Sequence, residues 1–467
     1  MNSVLYWNSI LLEASRRDFT TGYPNNQQPG PIRTSRAMAI VHLAIHDAVA
    51  FRNRPQAAYL NKKSVAHGIP NLTGQPVADL IAGAAVTTLK ALYPDYTAFF
   101  DEALFFNGAL GTVNTAAFNH GVTVAEALLA HRDNDGSTDT IFGAQAPSPG
   151  YGQHRADPYA PGQPQVGPVW GNVKRFTGTE RQKLDPFPGK DQANYLDDAN
   201  YRADFEEVRE YGAATRGDRT AEQERIGVYW GYDGANKLGV PPRLYNQIAR
   251  LIAQNHTPSL NTAQLAELFA VVNVAMADAG IDAWHYKYDN DLWRPVVGIR
   301  QENAPDGDPF WAPLGAPQTN AARGTKTPPF PAYPSGHATF GAALMQALRL
   351  GLSTAPEPIT VQDVLDVETG NSDPITSETF TFISDELDGV SSDPDGSVRT
   401  RVPVTFKNFA EPVWENAVSR IYLGVHWRFD GLPSNAAQNV GGVPLGLAIG
   451  QEAHDFFNQP PSLSGSV

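Results

Sequence analysis

Apolar residues recur every three or four positions through most of this chain, the spacing of one face of a helix. In the first third the pattern predicts helices over 4–16, 34–51, 76–92 and 113–131. Pro31 precedes the second, Pro76 opens the third and Pro94 follows its end, all helix punctuation. Four such helices joined by short polar turns suggest a bundle. Residues 133–187 break the rhythm. They are rich in Pro, Gly, Gln and Asp without a period, so a long irregular segment of functional or linking use is expected. Helical spacing resumes over 197–211, 221–232, 244–253, 265–292, 336–350, 406–423 and 444–457. Strand-like alternation is scarce, and no internal repeat is legible. The expectation is an all-α protein of two facing helical halves: an N-terminal bundle over 1–132, an irregular connection over 133–196, and a C-terminal bundle over 197–467, able to pack as one compact domain.

Composition changes this picture little. Of 467 residues, 42% are hydrophobic and 18% charged, which is ordinary globular material. The net charge of -14 argues against nucleic acid or an anionic membrane as partner, and makes any local cluster of Arg and Lys informative. The chain has no cysteine, which removes disulfides, thiolate metal sites and thiol nucleophiles but leaves the compartment open. Residues 1–17 include Glu13 and lack the basic start and apolar run of a signal peptide. No stretch approaches ~20 uncharged apolar residues. The nearest, 265–281, holds Glu267 and Asp278 and reads as a buried helix. The acidic run 385–395 lacks the spacing of a calcium loop and reads as solvated surface. Localisation and oligomeric state, homo-oligomer included, are left open.

Three segments carry candidate chemistry. In the first, Lys287 and Arg294 stand two helical turns apart, ~10 Å along one face. Pro295 is expected to end the helix there, so that two long cations meet from a helix end. In the second, Pro334, Ser335, Gly336 and His337 lead into an apolar helix. That places a hydroxyl, a glycine and a titratable ring at a helix N-terminus, where free N–H groups favour anions. In the third, Arg420 precedes Gly424 and His426, with the glycine as helix stop between them. Each alone has a bland reading: a basic face, a serine cap, a core histidine. Together they form an oxyanion-binding inventory lacking the carboxylate or thiolate set of a zinc or magnesium site. No nucleophile elbow or Walker loop is present.

Lys-x6-Arg-Pro, Pro-Ser-Gly-His and Ser-Arg-x5-His, filled here by 287–295, 334–337 and 419–426, resemble the signature shared by vanadium haloperoxidases and the type-2 phosphatidic acid phosphatase superfamily. The flanks at 6–8, 38–47, 232–246, 329–341 and 416–430 are similar to the fungal vanadium chloroperoxidase type, and the likeness loosens over 133–197 and 350–374. The resemblance implies an all-helical fold of two four-helix bundles and one vanadate per chain, with phosphate able to occupy the same place. It implies that His426 bonds the metal, that Lys287, Arg294, Ser335, Gly336 and Arg420 donate to the oxyanion, and that His337 moves the proton. Trp284 and Phe330 would line the halide side, and Asp233 would pair with Arg420. His42, His46 and Asp47 read as structural.

The implied activity is oxidation of bromide, and of chloride given Phe330, by hydrogen peroxide to hypohalous acid, with or without an organic acceptor. Lys287 would draw charge from the reacting oxygen, so that losing it spares binding and stops turnover. The alternative is an acid phosphatase or phosphotransferase using His426 as nucleophile. A non-catalytic oxyanion binder is a third reading.

Overall fold

A computed structural model describes residues 2–24, 26–106, 115–139, 141–144, 149–215, 217–301, 306–322, 324–353 and 357–459. Its long elements are helices where the spacing predicts them. They are α1 (Ser3–Asp18), α2 (Gly30–Asn53), α3 (Val77–Leu92), α4 (Ala116–Arg132), α5 (Ala199–Tyr211), α6 (Ala221–Tyr229), α7 (Pro241–Asn255), α8 (Thr262–Asn290), α9 (Gly336–Leu352), α10 (Ala410–Tyr422) and α11 (Gly442–Asn458). The first two residues of the expected helix over 113–131 lie outside the described residues. Local chemistry sets several starts. Asn261 with Gln264 and Thr220 with Gln223 form reciprocal capping boxes, and Pro241 opens α7.

α3 packs against α2 and α4; α8 packs along α2 and also against α9 and α11. Two close approaches depend on glycine. A Cβ on Gly446 of α11 would lie 2.3 Å from the Thr339 carbonyl of α9, and one on Gly442 would lie 2.6 Å from the Ser335 carbonyl. α11 therefore sits hard against the first turn of α9 and fixes its N-terminus. α8 is the one described helix long and apolar enough to cross a membrane, and 89% of that window is buried within the protein, as expected for 265–281. On α2, Asp47 accepts from the backbone N–H groups of Tyr59 and Leu60, and His46 bonds Asp47 at 2.9 Å. His42 bonds Asn8 at 3.1 Å.

Several elements were not legible in the spacing. Residues 133–187 include a short antiparallel pair, Phe142–Gly143 with Gln165–Val166. Helices also form at Thr97–Phe106 and Val361–Glu368. Phe380–Ile383 pairs antiparallel with Pro403–Phe406, too short a hairpin for alternation to stand out. That strand claims Phe406, so α10 starts at Ala410 and not at 406. The run 385–395 is not simply solvated surface, because Glu386 is fully buried. It accepts from the Tyr232 N–H at 2.9 Å, Arg399 Nη1 at 2.7 Å and the Thr319 hydroxyl. Those donors offset the cost of burying its charge.

Candidate oxyanion site

Lys287 lies in the last turn of α8. Asp291, left-handed at φ +48°, ends that helix before Pro295 can, so Arg294 stands outside it. The expectation that Pro295 ends the helix is corrected. Pro295 opens a short helix, Pro295–Gln301, where its missing N–H is tolerated. Lys287 Nζ donates to the carbonyls of Pro331, Ala332 and Pro334 at 2.9, 3.0 and 2.6 Å. These account for all three ammonium protons. Arg294 Nε donates to the Phe330 carbonyl at 2.9 Å, and its Nη1 to the Val425 carbonyl at 2.8 Å. The two cations thus tie the end of α8 to both other motif segments.

Ser335 caps α9, and its own N–H donates to the Asp430 carbonyl at 2.7 Å, joining the second and third segments. His337 Nε2 lies 2.8 Å from the Gly231 carbonyl, which can only accept, so the proton is on Nε2 and Nδ1 is free to exchange one. Burial and the nearby Arg420 guanidinium push this imidazole down to about 3, so it is neutral. The next residue but one, Asp233, takes both its oxygens to Arg420 Nη2 at 2.8 and 3.0 Å. Between them, Tyr232 is held at φ +47°, a conformation that needs outside support in a bulky residue. Glu386 supplies that support through the Tyr232 N–H. One turn therefore holds both His337 and Arg420, and Glu386 braces the turn. Glu386→Ala is expected to leave the buried Tyr232 N–H and Thr319 hydroxyl without their shared acceptor, each loss costing about 1–3 kcal/mol, while Arg399 keeps Asp393. A urea midpoint matching the parent's would remove the brace from the account.

Gly424, at φ +68°, makes the turn expected after α10, and a Cβ there would lie 2.4 Å from the Gly212 carbonyl. The chain then returns His426 to the site. His426 Nε2 is 2.9 Å from Arg294 Nη1, and Nδ1 is 2.7 Å from Asp430 Oδ2. A guanidinium cannot accept, so Nε2 carries the lone pair and Nδ1 the proton. Asp430 also accepts from the Trp427 N–H at 3.0 Å. It is a site residue that the motif reading passed over, and its one trace in the sequence is the His-x3-Asp spacing. Burial pushes its carboxyl up to about 8, against the pull of Lys287 and Arg294.

The donor set can be tested against an oxyanion. Arg294 Nη2 and Arg420 Nε and Nη1 are buried and have no hydrogen-bond partner among the described residues. Buried donors left this way are rare and call for an acceptor. Burial, before the neighbouring Arg420, pushes Arg294 down to about 9; burial and then Arg294 push Lys287 well below its usual range. An anion beside them would reverse both shifts. Among the described residues no group of three or more histidines and carboxylates is placed to hold a bare cation. The residues fit a compact tetrahedral oxyanion within reach of the His426 lone pair.

His337, Gly336 and His426 line one end of a cavity of about 210 Å³, whose wall includes Asp233, Trp284 and Phe330. The Trp284 and Phe330 rings lie 4.7 Å apart, with Lys287 Nζ 5.0 Å from the Phe330 centroid. Trp284 Nε1 and the Tyr288 hydroxyl both donate to the Val166 carbonyl, at 3.0 and 2.7 Å. The irregular segment thus orients the indole. Of the candidate site residues, Asp233, Trp284, Phe330, Gly336, His337 and His426 line this cavity, and Lys287, Arg294, Ser335 and Arg420 are hydrogen-bonded to these residues or to the segments that carry them.

A family model described as the vanadium chloroperoxidase N-terminal domain matches residues 1–163, and one described as the VCPO second helical-bundle domain matches 267–461. Vanadium chloroperoxidase of Curvularia inaequalis is 34% identical, over 92% of this chain and 79% of its own. The fold is also that of a bacterial vanadium-dependent iodoperoxidase (TM-score 0.67, 21% identity, 98% and 97% of the two chains). A bacterial vanadium-dependent chloroperoxidase in its holo form gives a TM-score of 0.61 at 16% identity, over 93% of each chain.

Proposed function

Because the chain belongs to the vanadium chloroperoxidase family, we propose that it is a vanadium-dependent haloperoxidase, oxidising bromide and chloride with hydrogen peroxide to hypohalous acid. One vanadate is held per chain, and phosphate competes for the place. When bound, vanadate supplies a Lewis acid that activates peroxide without a change in oxidation state. The observation that carries the reading is the chain Arg294–His426–Asp430. Asp430 fixes the proton on Nδ1 and leaves the Nε2 lone pair that a metal ligand needs.

The remaining roles follow from donors and charge. Arg294 and Arg420 give their unpartnered N–H groups to the oxyanion. The cap residues Ser335 and Gly336 present the N-terminus of α9 to the same charge. His337, neutral with its Nδ1 unprotonated, takes the peroxide proton and returns it later. Asp233 holds Arg420 in place. Lys287 fixes the 331–334 backbone and adds positive potential beside the Trp284 and Phe330 rings, which make the halide side apolar.

The test is peroxide-dependent bromination of a phenolic dye by the vanadate-free protein before and after orthovanadate is added, with a phosphomonoester assay on the same sample. Bromination that appears only with vanadate and peroxide is expected, and repeating it in chloride ranks the halides. Ester hydrolysis inhibited by vanadate, with no halogenation, would instead make this the phosphatase branch of the superfamily.

A further inference from the structure

His426 reaches the site from a turn with little stiffness of its own. Arg428–Gly431 is a single helical turn, and one turn of helix is not stable by itself. On the site side Asp430 holds it: Oδ2 bonds Nδ1 of His426, and the carbonyl accepts from the Ser335 N–H. Away from the site it is held by a group of carboxylates that none of the roles above uses.

Arg428 does not line the cavity, and two carboxylates grip its guanidinium. Nε and Nη2 donate to Glu207 Oε2 and Oε1 at 2.7 and 2.6 Å, and Nη1 and Nη2 donate to Glu368 Oε2 and Oε1, both at 3.0 Å. Each carboxylate takes two parallel bonds, the pairing that fixes the plane of a guanidinium as well as its place. The next residue, Phe429, donates its N–H to Asp204 Oδ2 at 2.8 Å. Asp204 and Glu207 stand three apart on one face of α5, and Glu368 ends the helix Val361–Glu368. Residues 428, 429 and 430 are thus pinned in succession, the first two to other helices and the third to the imidazole.

Fold stability alone does not account for this arrangement. The side chains of Arg428, Glu207 and Glu368 are 20%, 21% and 39% exposed, and ion pairs that water reaches contribute little to folding. A ligand is less tolerant, since a binding group has to be held within about 0.5 Å of its productive position. What a doubly gripped guanidinium two residues from His426 supplies is direction.

We propose that Glu207 and Glu368 are positioning residues for vanadate binding: through Arg428 they fix the turn that aims the His426 Nε2 lone pair. This rests on the haloperoxidase reading, which makes that lone pair the metal ligand.

Glu207→Ala and Glu368→Ala each remove one grip, and Arg428→Lys keeps the charge but loses the fork. Each variant and the parent are compared by equilibrium dialysis of vanadate, by urea midpoint and by proton NMR of the vanadate-free protein. Vanadate is expected to bind roughly tenfold more weakly in each, the lower end of what losing a partner behind a metal-bound histidine costs, with the midpoint close to the parent's. The carboxylate-bonded Nδ1 proton of His426 gives a low-field signal, identified by its loss in His426→Ala, and that signal should shift or broaden. Parent-like affinity, or an Nδ1 signal that does not move, overturns the proposal. So does an affinity that falls only in step with the urea midpoint, which would make the cluster a brace of the fold. A parent that binds no vanadate sinks the haloperoxidase reading instead, and the Nδ1 signal then decides by itself whether these carboxylates set the ring.

Discussion

His426→Ala is expected to fold like the parent and to lose vanadate. Folding is retained because neither partner is stranded: Arg294 Nη1 keeps the Val425 carbonyl, and Asp430 Oδ2 keeps the Trp427 N–H. Binding is lost because the Nε2 lone pair is the only proposed bond to the metal itself, while every other contact is a hydrogen bond to oxygen. The loss should exceed the roughly 10–100-fold that removal of an outer-shell partner costs. Asp430→Asn tests the same chain without touching the ligand. An amide oxygen in the place of Oδ2 still accepts from both Nδ1 and the Trp427 N–H, so the ring keeps its tautomer but loses the carboxylate that raises its basicity as a ligand. Vanadate binding roughly 10–100-fold weaker is expected there. Equilibrium dialysis with vanadium analysis, beside circular dichroism, measures both. Stoichiometric loading of His426→Ala at the parent's affinity would remove His426 from the metal.

How much of this was legible beforehand depends on the range of the interaction. A helix start such as Ser335 is written within four residues and was legible, whereas the Asn261–Gln264 box starts α8 at Thr262, three residues before the expected 265, because the apolar period begins only at Leu265. The three motif segments also read directly, since each needs fixed residue types at fixed separations. Contacts made across the fold leave no such local trace. Glu386 bonds Tyr232, 154 residues away, and in sequence it sits in an acidic run that looks solvated. The Val166 carbonyl that orients Trp284 offers only backbone, in a segment without a period. Asp291 ends α8 through a left-handed backbone that neighbouring Pro295 obscured. Asp430 lies within the third segment, four residues after His426, but a lone carboxylate there carries no signal until the ring nitrogen it holds is known.

Lys287 is where structure and motif pull the expectation apart. Motif reasoning makes the lysine a donor to the oxyanion, whose removal spares binding and stops turnover. The structure gives all three of its protons to the Pro331, Ala332 and Pro334 carbonyls, immediately before Ser335 and Gly336. Lys287→Ala would leave three carbonyls in a buried loop without their donor, each such loss costing about 1–3 kcal/mol. It would also remove a buried positive charge beside Phe330. Both consequences reach the site: the loop positions the N-terminus of α9, and the charge stabilises negative charge developing on oxygen. Turnover at saturating vanadate is therefore expected to fall roughly 10²–10³-fold, the scale of losing one preorganised electrostatic group, and vanadate affinity to fall with it. Lys287→Met, which keeps the stem and removes the donors and the charge, should behave alike. A vanadate titration followed by turnover at saturation separates the terms. Unchanged affinity with lost turnover would place the effect of the lysine on the bound oxyanion alone. Parent-like affinity and turnover together would leave Lys287 no part in either binding or catalysis.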